Sequence, residues 1–169
     1  MAATLTQLLS EHALRAPGAT ALIYRDKRTT YHALDDESRR LAQAFKDLGV
    51  TQGDRVALWL PNTPAWLACL FACARLGAIA IATNTRFRGA EMEDIVARGT
   101  PKLIVLWPGF RDIDFLGIIE TLKPRALKSL RGIVAYAEDG GIPLPRSIRG
   151  VPVFEYSRLI ERDPLAEDF

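Results

Sequence analysis

The chain has 169 residues, 49% hydrophobic and 25% charged, which suits one ordinary globular domain or a piece of a larger one. This composition sits near the globular average and excludes a disordered chain, a collagen-like repeat and a disulfide scaffold. Lys and Arg number 22 against 20 Asp and Glu, with no basic stripe, so nucleic acid is not an expected partner.

The opening residues, MAATLTQLLSEH, lack a basic n-region and reach Glu11 before any useful apolar stretch, so a secretory signal is not expected and a cytoplasmic location is. From Leu5 to Leu14 the leucines at 5, 8, 9 and 14 fall near a helical period, predicting a one-sided helix that Pro17-Gly18 ends. Ala21 to Tyr24, a charged turn at Arg25 to Arg28, and Thr29 to Tyr31 predict a hairpin. Between Tyr31 and Leu48 the apolar positions recur mostly three, four or seven apart, which predicts an amphipathic helix closed by Gly49. Its acids Asp35, Asp36 and Glu37 read as a solvated face. Val56 to Leu60 is apolar on both sides, as a strand covered on both faces should be. Asn62 or Thr63 then caps a helix with Pro64 in its first turn.

The window from Ala65 to Ala82 is long enough to suggest a membrane span, but Arg75 lies inside it and Gly77 follows. A central Arg costs about 2.5–3.5 kcal/mol on insertion scales, so no transmembrane segment is expected. A helix from Ala65 to Leu76 and a strand from Ala78 to Ala82 are. A loop at Thr83 to Arg88, a helix at Ala90 to Arg98, a strand at Leu103 to Trp107, a helix from Ile113 to Leu122 closed by Pro124, and a strand at Ile133 to Tyr136 continue the alternation. Such alternation predicts an α/β fold with a mostly parallel sheet flanked by helices. The region 138–169 reads as a loop-rich tail. Within it Glu138 to Gly150 is a loop, Val151 to Phe154 a short strand and Tyr156 to Glu161 a short helix, while Asp163 to Phe169 carries no sign of a packed element.

Chemistry-bearing patterns are sparse. Cys69 and Cys73 share one side of an apolar helix and read as packing residues. His12 and His32 read as helix-surface residues, and the five serines have no His/Asp partner in sequence. Gly140-Gly141 reads as a turn rather than a phosphate loop, because no Lys or helix start follows it. No metal cluster, nucleophile elbow or catalytic residue is identified. The residues taken alone reach as far as a soluble α/β domain.

Their order goes further. Thr30-Tyr31 with Leu34, Ser38 with Leu41-Ala42, Gly49-Val50, Gly53-Asp54-Arg55-Val56-Ala57, Pro61-Asn62, Leu76-Gly77-Ala78, Asn84-x-Arg86 and Glu91 follow one another across residues 5–107. This succession resembles the N-terminal region of the AMP-forming acyl-CoA synthetases, in the adenylate-forming ligase superfamily; residues 108–169 fit more loosely. The resemblance implies a partial N-terminal domain over 1–169, with the C-terminal domain absent. It also implies a complete enzyme that uses ATP, Mg2+ and CoA to activate a fatty or aryl acid as acyl-AMP and pass it to CoA. None of the family's catalytic, phosphate-loop, magnesium or ribose-binding motifs occurs here, so no catalytic, cofactor-binding or metal residue carries over, and this chain alone is expected to be inactive. The loop candidates for substrate binding are Asn84 and Arg86, just after a strand's C-terminal end; an ion pair of Arg86 with Glu91 or Glu93 is the structural alternative. A homodimer is left open. The alternative function is a stand-alone, non-catalytic binding or assembly module that kept the fold.

Overall fold

A computed structural model describes residues 4–138 and 143–169; the expected turn at Gly140-Gly141 lies outside the described residues. Helix α1 (Leu5–Arg15) starts at a reciprocal cap, in which Gln7 N donates to Thr4 Oγ1 at 3.2 Å and Thr4 N to Gln7 Oε1 at 2.9 Å. Its buried stripe is Thr6, Leu9 and Ala13, whereas Leu5, Leu8 and Leu14 are exposed. The leucine spacing therefore misplaced the face: contact with the next helix selects the 6, 9, 13 row. Strands β1 (Thr20–Tyr24) and β2 (Lys27–Thr30) pair antiparallel around a two-residue turn, with Arg25 at φ +53°. The turn is shorter than expected because Lys27 and Arg28 join the ladder.

Thr30 then caps α2 (Tyr31–Asp47), accepting from Ala33 N at 3.1 Å. Gly49, at φ +86°, supplies the left-handed residue that reverses the chain after it. The main sheet follows: β3 (Arg55–Trp59), α3 (Pro64–Arg75), β4 (Ile79–Ala82), α4 (Gly89–Gly99), β5 (Leu103–Leu106), α5 (Phe115–Thr121), β6 (Gly132–Ala135), β7 (Ser147–Ile148), β8 (Val151–Glu155) and α6 (Tyr156–Leu159). Its strand order is β4-β3-β5-β6-β8-β7, parallel throughout except for the β7–β8 pair. Helix α5 starts two residues later than expected, because Asp114 caps it through Gly117 N at 2.8 Å. Strand β7 lies inside the stretch expected to be a loop.

Alternate residues of the central strands enter two separate cores. Val56, Leu58, Leu103, Val105 and Val134 meet α2 and α3 around Leu41, Phe45, Ala68 and Cys69. Ala57, Trp59, Ile104, Leu106 and Ile133 meet α4 and α5 around Met92, Val96, Phe115 and Ile119. This two-sided burial explains why β3, β5 and β6 carry unbroken apolar runs.

Two expectations are corrected on the first face. Asp35 and Glu37 are not a solvated face. Asp35 accepts from Arg75 at 2.6 Å, Arg39 at 3.0 Å and Ser10 at 2.8 Å, and Glu37 accepts from the buried Tyr156 hydroxyl at 2.6 Å. The segment Asp163–Phe169 has no regular structure yet packs firmly. Leu165 is buried, Leu165 N donates to Arg39 O, Asp168 binds Arg75 through both carboxylate oxygens, and Phe169 N donates to Arg75 O at 2.7 Å. Arg75 is fully buried among these partners, so the arginine inside the most apolar helix is neutralised by charge pairing.

Candidate functional site

In the strand order, the connection leaving β3 runs outward to β4, while the connection leaving β5 runs the other way to β6. Where such connections diverge, an open parallel sheet leaves a crevice beyond its carboxyl ends. A crevice of about 480 Å3 lies there, walled by Asn62 and Trp66 at the start of α3, Asn84 and Thr85 after β4, and Phe110 and Arg111 after β5.

Local chemistry holds each wall. Thr63 caps α3 by accepting from Trp66 N at 3.3 Å, and Pro64 occupies the first helical position, where its missing N–H leaves no bond unmade. The loop after β4 is an Asx turn in which Arg86 N donates to Asn84 Oδ1 at 2.9 Å, while Trp59 Nε1 donates to Asn84 O at 3.0 Å and ties the loop to the second core. After β5 the backbone enters the left-handed region at Gly109, Arg111 and Asp112, with φ of +75°, +54° and +58°. Two non-glycine residues held this way are a local strain of the kind concentrated at functional sites. The Arg111 guanidinium carbon lies 5.3 Å from the Phe110 ring centroid. From Phe110 a row of aromatic rings continues along the sheet's carboxyl edge through Trp107, Tyr136 and Tyr156, with successive centroids 5.3, 5.4 and 5.1 Å apart.

Asn84 thus lines the crevice, whereas Arg86 is exposed and is not among its walls. Neither alternative partner engages Arg86. Glu91 accepts from Arg88 N at 3.0 Å and caps α4, and Glu93 pairs with Lys123 at 2.9 Å. Sequence reasoning missed Trp66, Thr85, Phe110 and Arg111. The Trp107-Pro108-Gly109 break marks a loop after β5, but nothing local says that this loop stands opposite the one after β4.

The crevice offers two amides, hydroxyls, one guanidinium and aromatic walls, which can recognise a planar or anionic group. Among the described residues no three His, Cys, Asp or Glu side chains gather to hold a metal ion, and no described helix is long and apolar enough to cross a membrane. The donor set does not fit Mg2+ or a triphosphate: the acidic cluster, the lysine and the glycine-rich backbone cradle those groups require are not in the crevice. Both cysteines are buried; burial pushes the Cys73 thiol up to about 12 and raises Cys69 as well, which makes them inert packing groups. His12 and His32 are exposed, His12 stacking on Tyr31 at 5.0 Å.

The AMP-binding enzyme family matches residues 9–146, and the chain belongs to that family, corresponding to the N-terminal portion of AMP-forming acyl-CoA synthetases. It is 37% identical over 106 residues to the indoleacetate–CoA ligase of Aromatoleum aromaticum, covering 63% of this chain and 21% of that protein. It is 29% identical over 137 residues to the human mitochondrial medium-chain acyl-CoA ligase ACSF2, covering 76% of this chain and 22% of that protein. The fold superposes on the anthranilate CoA ligase AuaEII, solved with anthranoyl-AMP, with a TM-score of 0.83 at 24% identity, covering 99% of this chain and 30% of that one. The chain therefore spans less than a third of each of these three proteins.

Proposed function

We propose that this chain is the N-terminal part of an ATP-dependent acid–CoA ligase that activates a fatty or aryl acid as acyl-AMP, releases pyrophosphate and passes the acyl group to CoA. In this reading ATP, Mg2+ and CoA belong to the complete ligase, and the 169 residues alone do not adenylate. The observation that carries it is the family match over 9–146 on a sheet whose carboxyl-end crevice contains binding groups but no fitting magnesium or triphosphate ligands. The test is pyrophosphate release with ATP, Mg2+ and a panel of fatty and aryl acids. The isolated chain is expected to release none, and the complete polypeptide carrying it to release pyrophosphate with at least one acid. Release by the isolated chain would overturn its inactivity; none from the complete polypeptide would overturn the ligase reading.

A second reading, a stand-alone binding module, draws on one observation: both faces of the sheet are already covered, each by its own closed core. Against it stands β4, an apolar edge strand of sequence Ile-Ala-Ile-Ala whose outer side is unpaired among the described residues and whose Ile79 is exposed. Such an edge invites a further strand or another copy.

A further inference from the structure

The amino end of the sheet, opposite the crevice, carries a row of cations. Parallel register sets Arg55 of β3 beside Ile79 of β4. The ladder continues one residue ahead of β5 and β6, where Lys102 N donates to Arg55 O and Arg131 N to Lys102 O, both at 2.7 Å. Ile79, Arg55, Lys102 and Arg131 therefore form one row across four neighbouring strands, which lie about 4.8 Å apart. Their side chains share the α4–α5 side of the sheet, because Ile81, Ala57, Ile104 and Ile133, two residues on from each, pack into that core. Lys128 and Arg149 stand on the segments that enter β6 and β8; all five cations are exposed except the half-buried Lys102. The segments entering the parallel strands, 51–55, 76–79, 99–103, 128–132 and 149–152, hold these five cations against one acid, Asp54, in a chain whose net charge is only +2. Asp54 Oδ2 accepts from Thr51 N and Thr51 Oγ1, both at 2.9 Å. Among the described residues none of the five cations pairs with a carboxylate. Like charges on adjacent strands repel, so this edge costs the fold stability and gains no ion pair in return. The row ends in apolar surface: Ile79 is 49% exposed, and Phe169, 74% exposed, lies against Gly77.

We propose that this amino edge is a docking surface for an anionic lipid bilayer. The cations meet the headgroup phosphates and carboxylates, while Ile79 and Phe169 enter the boundary between headgroups and acyl chains. Attraction to anionic lipids and buried apolar area are the two contributions that hold a protein at such an interface. The apolar end selects a bilayer over a nucleic acid, whose phosphates would neutralise the row and leave Ile79 and Phe169 in water. None of these residues lines the crevice, so docking here leaves it uncovered. The surface does not depend on the ligase reading.

The test is co-sedimentation of the complete polypeptide carrying these 169 residues with phosphatidylcholine vesicles, with and without phosphatidylserine. Binding is expected only where phosphatidylserine is present, and to weaken as added salt shortens the Debye length. Each Lys or Arg near an anionic surface is worth about fivefold in affinity, so the triple variant Arg55→Gln, Lys102→Gln, Arg131→Gln should bind about 100-fold more weakly. The charge-keeping triple Arg55→Lys, Lys102→Arg, Arg131→Lys should bind like wild type. Ile79→Ser should weaken binding about fivefold and leave its salt dependence unchanged. The glutamine triple removes like-charge repulsion and should unfold in urea no earlier than wild type, which separates lost docking from lost folding. No binding to phosphatidylserine vesicles, equal binding with and without phosphatidylserine, or wild-type binding by the glutamine triple would overturn the proposal. Retention on duplex DNA without vesicle binding would give the row to another polyanion and overturn it as well. The assay reads no adenylation, so its failure leaves the ligase reading to the pyrophosphate assay.

Discussion

At the scale of single residues, the stability of this chain turns on Arg75. Its guanidinium, wholly out of water, meets Asp35 at 2.6 Å, Asp168 at 2.8 Å and Ser38 Oγ at 3.0 Å. Replacing Arg75 by Met strips the buried cation from two carboxylates that keep only the half-buried Arg39 as a charged partner, and removing one member of a buried ion pair costs about 3–5 kcal/mol. Urea unfolding of Arg75→Met should show a loss of that size, and Arg75→Lys should recover little of it, since an ammonium cannot make the forked contacts. Burial by itself raises the Asp35 carboxyl, but hydrogen bonds from Ser10 and Arg39 and the charge of Arg75 together outweigh it and hold it below the ordinary 3.8. A carboxyl lowered on folding contributes stability above 3.8 that is lost as pH falls below it. The gap between wild type and Arg75→Met should therefore narrow below that pH; a constant gap would contradict the pairing. Glu37 has the opposite sign. Burial raises it above 4.5, and the Tyr156 hydroxyl opposes this only in part. The folded state then keeps a proton that the unfolded state releases, so stability falls as pH rises from 4.5 through the folded pKa. Glu37→Gln keeps an acceptor for Tyr156 and should gain on wild type between acid and neutral pH; equal differences at both would contradict this. None of this was legible in sequence. Asp35 and Asp168 lie 40 and 93 residues from Arg75, and periodicity along one helix says nothing about what a second helix brings to it.

At the scale of elements, what could be read was what is local. The α2 boundaries follow from its period and from Gly49, and the start of α3 from Thr63-Pro64, because caps and left-handed glycines act within one turn of the residues that announce them. The two-residue strand β7 escaped because two residues carry no period, and its stability comes from pairing with β8. The buried face of α1 escaped because three exposed leucines outvoted Thr6 and Ala13. Thr63 links an element end to the candidate site, since its cap orients the turn carrying Asn62 and Trp66. Thr63→Ala should cost about 1 kcal/mol in urea unfolding. Unchanged stability would mean that the 3.3 Å bond does not hold the helix start.

At the scale of the whole molecule, alternating strands and helices implied a parallel sheet, but strand order was beyond reach, and with it the crevice. Asn84 and Arg111 become neighbours only because β3 and β5 send their connections in opposite directions. That is also why Arg86, two residues from Asn84, was an equal candidate in sequence and is not a wall of the crevice in space. The closed cores and docked residues 163–169 hold the described residues together, while the apolar β4, unpaired on its outer side among the described residues, and the 21–30% that the chain spans of the three proteins compared above point to a larger assembly of polypeptide around it. The mass of the product that carries this sequence in its native cell, detected with an antibody raised against the 169 residues, tests this most directly. The account predicts a species several times heavier than 18.7 kDa. A product of 18.7 kDa and nothing heavier would contradict it and make the protein a stand-alone binding module.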